Sequence, residues 1–107
     1  MTNVLVINDL DSWKINVNGH AGYAPKGTDI VCAAISTITA MIAQELVYDA
    51  EDVKITKYVM DEENADVSFE FNTLTDAVNN KISMAVMGFE LIASNYPDFV
   101  RLTLKCD

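Results

Sequence analysis

The chain has 107 residues, half of them hydrophobic and 21% charged, and it carries a net charge of −9. This is the length and balance of one globular domain whose core needs no disulfide or metal staple, and it excludes an intrinsically disordered segment. A surface of that sign repels phosphate backbones, so no direct nucleic-acid partner is expected; it attracts basic proteins, unless the acidity serves only to keep the chain soluble.

Residues 4–7, Val-Leu-Val-Ile, form a short apolar run. The segment around them lacks the basic start and small-residue cleavage site of a secretory leader, so it reads as a strand and a cytoplasmic location is expected. Residues 13–18 alternate apolar and polar at period two, and residues 9–12 between the runs are turn material, which predicts a hairpin. No uninterrupted apolar run approaches the roughly 20 residues of a membrane span, and no membrane partner is expected.

Residues 19–29 read as a loop holding three of the four glycines and one of the two prolines. Glycine permits close backbone approach and positive φ, and a loop this long in a compact domain is usually functional or mobile. The plain alternative is a strand-to-helix connector. Gly22 and Gly27 have the spacing of a phosphate-binding loop, yet Thr28 and Asp29 stand where Lys and Ser/Thr belong, and nucleotide binding is set aside.

A helix is predicted over 30–48, with Val31, Ile35, Ile38, Ile42 and Leu46 as its core stripe, Asp29 as N-cap and the charged residues 49–52 as its end. Two strands follow at 53–60 and 66–71, joined by the polar turn 61–65. A second helix over 74–95 turns Val78, Ile82, Ala85, Phe89 and Ile92 to the core, and Tyr96-Pro97 stops it. The last strand covers 99–104. The order ββαββαβ implies a single domain, 1–107: an α/β two-layer sandwich of two helices on one mixed sheet.

Cys32 and Cys106 are too few and too far apart in sequence for a disulfide framework. With His20 the sole histidine, a zinc site lacks ligands, and no metal or cofactor is expected. The carboxylates at Asp9 and Asp11, and at Asp61, Glu62 and Glu63, read as solvated turns, and Cys106 reads as incidental.

Cys32 has a physical reason to react. If Asp29 is the N-cap, Cys32 is the third helical residue, where unpaired backbone N–H groups carry partial positive charge and favour a thiolate. The same N–H groups, that of Cys32 included, could hold an oxyanion. His20, across the loop, is the available general base. Ser36 lies one turn after Cys32 on the same helix face. Asp29 could cap the helix, orient His20, or both, and Tyr23 could help accept a peptide. Against this, a cysteine on an apolar helix is commonly a small buried hydrophobe, and the acidic surface opposes a thiolate.

The segments Gly19-His-Ala and Gly27-Thr-Asp-Ile-Val-Cys-Ala-Ala-Ile-Ser36 closely resemble the signature of the ribosomal-processing cysteine protease Prp family. Gly88 and Tyr96-Pro97 fit it as well. The resemblance implies a cysteine endopeptidase that removes a short N-terminal extension from a bacterial large-subunit ribosomal protein, family twenty-seven, cutting after a phenylalanine. The catalytic cysteine and histidine of the family fall on Cys32 and His20, and its acidic and serine positions on Asp29 and Ser36. The implied loop movement for substrate entry suits Gly19, Gly22 and Gly27. A homodimer and a basic ribosomal protein precursor are the implied partners. Three other readings stand beside it: a related protease that processes phage structural proteins, a non-catalytic acidic module that binds a ribosomal or phage assembly protein, and a structural dimer with an inert cysteine.

Overall fold

The computed structural model describes residues 1–106. Its elements are β1 (Thr2–Asp9), β2 (Ser12–Asn18), α1 (Ile30–Tyr48), a 3-10 turn (Ala50–Asp52), β3 (Val53–Asp61), β4 (Asp66–Thr73), α2 (Asp76–Asn95) and β5 (Val100–Cys106). The five strands form one sheet in the order β3-β4-β2-β1-β5. Only β1 and β5 run parallel; the other neighbours are antiparallel, so the sheet is mixed.

The alternation along the strands decides the core. Val4 and Val6, Trp13, Ile15 and Val17, and Phe69 and Phe71 are buried on the face that meets the helices. Fully burying side chains of this kind stabilises a fold by roughly 1.5–3 kcal/mol each. From α1 come Val31, Ile35, Ile42 and Leu46, and from α2 Val78, Ile82, Ala85 and Phe89. Ile38 and Ile92 are half-buried against this core. Trp13 is the one buried side chain with a ring N–H to satisfy, and it donates to Asn79 Oδ1 of α2 at 2.9 Å.

Gly88 marks where the two helices touch. A Cβ built there would stand 2.8 Å from Ile38 Cδ1. Further along, the helices are tied by Lys81 of α2, whose ammonium lies 2.8 Å from Asp49 and 3.4 Å from Glu45 at the end of α1. Burial, then hydrogen bonding and repulsion from Asp49, raise the Glu45 carboxyl above the ordinary range, while the bond from Glu45 and the Lys81 ammonium lower that of Asp49.

The strands run further than expected because pairing carries them: Thr73 N donates to Asp11 O at 2.8 Å, and Leu74 N to Asp52 O at 2.8 Å. With those amides committed, α2 begins two residues late, at Asp76, with Thr75 as its N-cap. By length and composition α1 would also qualify as a membrane span, at mean hydropathy 1.8, although serine, threonine, glutamine and glutamate interrupt its apolar run. Here its apolar stripe is part of the core.

Candidate active site

Strand β2 delivers the loop. Asn18 pairs with Asp66 of β4, and the next amide, Gly19 N, donates to Ala65 O at 2.9 Å. Gly19 is fixed in kind as well as in place. Its φ is +91°, and a Cβ would stand 2.7 Å from the carbonyl oxygen of Met1. His20, the first residue beyond it, is exposed. Ala21 is buried, and Tyr23 packs its ring edge-on against Tyr96 at 5.5 Å and Phe99 at 5.2 Å, centroid to centroid. Residues 25–28 close a turn, with Thr28 N and Oγ1 both donating to Pro25 O.

Asp29 finishes the loop and starts α1. Its Oδ1 accepts from Val31 N and Cys32 N, each at 2.9 Å. Its Oδ2 accepts from Tyr23 N at 3.0 Å and Ala24 N at 3.2 Å. Burial pushes this carboxyl up, but the bonds from the Cys32 and Ala24 amides, the Cys32 side chain and the Tyr23 amide outweigh it and hold the group below the ordinary carboxylate range.

Cys32 is half-buried beside the core, and Ser36, one turn on, is exposed. Two cavities meet at this pair. One, of about 420 Å³, opens toward the sheet, between α1 and the β3–β4 turn. The other, of about 500 Å³, opens toward the loop. His20, Cys32 and Ser36 are the three residues that line both. A larger cavity, of about 660 Å³, lies between the outer faces of α1 and α2, but its titratable side chains, Glu45, Tyr48 and Lys81, are engaged with one another and it is lined by no cysteine or histidine. The smaller pair is therefore the candidate site.

The structure thus brings His20, Cys32, Asp29 and Ser36 to one place. It also corrects three expectations. The Cys32 amide is not free for an oxyanion: the cap carboxylate takes the Val31 and Cys32 amides, and Ala33 N is bonded to Asp29 O. Asp29 makes no bond to His20: its carboxylate is taken by the Val31, Cys32, Tyr23 and Ala24 amides and by the Cys32 side chain. Tyr23 lines neither cavity, since its ring is docked on Tyr96 and Phe99.

One set of residues was missed. Asp61 does staple its turn, accepting from Asn64 N and Nδ2. Yet Asp61, Glu62 and Asp66 also line the sheet-side cavity beside Cys32. The signal lay in strand pairing: once β4 is placed next to β2, the turn before β4 must lie beside the loop after β2.

The family described as cysteine protease Prp matches residues 1–101. A ribosomal processing cysteine protease Prp from Mycoplasma pneumoniae is 32% identical over 90 residues, which is 81% of this chain and 82% of that protein. Among solved structures, the essential ribosomal processing protease Prp of S. aureus, in complex with a covalently linked product peptide, superposes with a TM-score of 0.84 at 19% identity, over 98% of this chain and 100% of that one. A Streptococcus mutans protein superposes with a TM-score of 0.81 at 25% identity, over 100% and 99%. The S. aureus likeness, at its low identity, speaks for the fold.

Proposed function

The chain belongs to the Prp family of cysteine proteases, and from that premise we propose that Cys32 and His20 are its catalytic dyad and that it removes a short N-terminal extension from a bacterial large-subunit ribosomal protein, family twenty-seven. The observation that carries the reading is the meeting of two cavities at His20, Cys32 and Ser36. A peptide crossing from one cavity to the other passes directly over the sulfur.

His20 takes the Cys32 proton, and the thiolate attacks the carbonyl carbon of the scissile bond. His20 then gives that proton to the departing amine as the C–N bond breaks. Water, deprotonated by His20, attacks the thioester, releases the acid product and restores the thiol. Since Asp29 holds the Cys32 amide, we assign the oxyanion to the Ser36 hydroxyl, which lines both cavities one turn after Cys32; the amide becomes free only if the carboxylate moves with its loop. Asp29 is therefore a positioning residue: it joins loop 19–29 to the start of α1. Gly22 and Gly27, at positive φ with open space around them, are the points where that loop can change path, whereas Gly19, expected to flex with them, is anchored to Ala65 and Met1.

The basic ribosomal precursor suits the net charge of −9. The reading places the protein in the cytoplasm, where ribosomes assemble, and as a homodimer. Met41, Met84, Met87 and Leu91, exposed on the outer faces of α1 and α2, offer a surface for that assembly.

The test is to incubate the protein with the extended ribosomal precursor and read product masses. One new amino terminus is expected, absent with Cys32→Ala and with His20→Ala. Binding of the precursor without cleavage by the wild type would instead support the non-catalytic binding module, and equal cleavage by Cys32→Ala would refute the dyad.

A further inference from the structure

Strand β3 is the edge of the sheet next to the candidate site, and it is exposed at every residue from Lys54 to Met60. Three of these residues are apolar and share one face: Ile55, Tyr58 and Met60 pair with Phe71, Phe69 and Val67. Because directly paired residues point the same way, and Phe69 and Phe71 are buried under the helices, this is the helix side of the sheet. The spacing 55, 58, 60 breaks strict alternation. A bulge between Ile55 and Lys57 restores it, bringing Ile55 into line with the other two. Tyr58 leans on Phe69 at 5.2 Å and donates its hydroxyl to Met60 Sδ at 3.3 Å. The three remain 41–44% exposed. They form an apolar ledge that the sheet supports and the helices leave open.

The ledge ends in the site. Met60, its last residue, and Asp61, the next along β3, line the sheet-side cavity together with His20 and Cys32. That cavity is lined by the carboxylates of Asp61, Glu62 and Asp66 and, among the described residues, by no lysine or arginine, whereas the loop-side cavity sets Lys26 against one carboxylate, Asp29, which is committed to backbone amides.

We infer that the ledge of Ile55, Tyr58 and Met60 is a docking track for the substrate chain, continuous with the sheet-side approach to Cys32. The inference rests on the protease reading and adds the recognition surface to it. At about 3.3 Å per residue the ledge is about 15 Å long, which accommodates an extended segment of four or five residues. The occupant is an extended peptide with apolar side chains against the ledge and a basic residue next to the carboxylates at its end. Continuity with the cavity at Cys32 and the charge contrast between the two cavities select a peptide over a second copy of this acidic chain.

The probes are a synthetic peptide covering the N-terminal extension and first mature residues of the ribosomal protein, and two versions shortened from either end. Ile55→Lys and Tyr58→Lys are expected to raise KM for the full peptide at least tenfold with little change in kcat. On one of the two shortened peptides the penalty should fall below twofold, which identifies the end that lies on the ledge. Ile55→Ser, a milder change at an exposed position, should act in the same direction and covers the case in which a lysine variant fails to fold. Binding of the labelled peptide to Cys32→Ala should weaken to the same extent as KM rises. Equal sensitivity of all three peptides, or none, overturns the track while leaving the protease reading intact. Peptide kinetics unchanged while Ile55→Lys alters the mass in solution would assign the ledge to a contact between copies. If the wild type cuts no peptide, the protease reading fails, and the track with it.

Discussion

The carboxylate of Asp29 accepts the backbone amide of Cys32 at 2.9 Å. A negative group therefore occupies the donor that the first helical turn would otherwise present to substrate. Its other oxygen holds the loop at Tyr23 and Ala24. Asp29→Asn keeps one good acceptor and should preserve the helix cap, since asparagine caps about as well as aspartate. Asp29→Ala removes both functions. Hydrogen exchange at the Tyr23 and Ala24 amides should quicken in both variants, while Tm falls by a few degrees only in Asp29→Ala. Peptidase activity should drop at least tenfold in Asp29→Ala. In wild type, because the folded carboxyl is held below its ordinary value of 3.8, the stabilisation is complete above that pH and lost only as pH falls through the lower folded value. A loop that loosened between pH 7 and 5 would contradict this.

Tyr23 fixes the far end of the same loop through its ring rather than its hydroxyl. Each edge-on aromatic contact contributes about 0.5–1.5 kcal/mol, and Tyr23 makes two. Tyr23→Phe should be neutral in stability and activity. Tyr23→Ala should lower stability by about 1–2 kcal/mol, read by urea denaturation. It should also make loop 19–29 susceptible to limited proteolysis under conditions in which the wild type resists.

Gly88 and Ile38 are coupled by contact. An added methyl at Gly88 meets Ile38 Cδ1 at 2.8 Å, and overpacking of this kind costs about 1–3 kcal/mol. The better helix propensity of alanine offsets roughly 1 kcal/mol of that. Gly88→Ala is thus expected to destabilise by about 1 kcal/mol. Ile38→Val removes the offending atom, so the double variant should be more stable than the sum of the two single changes predicts. Additive effects in the double-mutant cycle would show that the helices relax apart instead.

Glu45 and Asp49 share one end of α1 with Lys81 between them. Burial and Asp49 raise the Glu45 carboxyl, so its protonated form is favoured in the folded state. For a raised acid the stability contribution is full below the unfolded value, ordinarily 4.5, and is lost as pH rises through the higher folded one. Glu45→Gln keeps a donor toward Asp49 without the charge. It should raise Tm at pH 7 by a degree or two and leave it unchanged at pH 4. A loss of stability at pH 7 would mean that the ion pair with Lys81 outweighs the repulsion from Asp49.

Much of the fold was legible because its determinants are local. The two helical stripes, the alternation of Val67, Phe69 and Phe71, and Asp29 as a cap can each be read within a few residues. Gly19, His20, Asp29, Cys32 and Ser36 lie within one stretch of chain, so their proximity was legible too. What escaped depends on partners distant in sequence. The second oxygen of Asp29 is committed by the path of the loop, and Tyr23 by residues 96 and 99. The carboxylates at 61, 62 and 66 reach the cavity only because β4 pairs with β2. The bulge that aligns Ile55 with Tyr58 has no signal in the sequence, where period two would place Ile55 on the face of Lys57 and Val59.

The two cavities that meet at the sulfur have a further consequence. A blind pocket acts as a ruler: it fixes how many residues lie beyond the cut, because the chain end strikes a wall. A cleft open in both directions cannot count. On the proposed reading, a chain passing through this one is cut where its side chains fit, and the length of the released fragment follows from where that match falls.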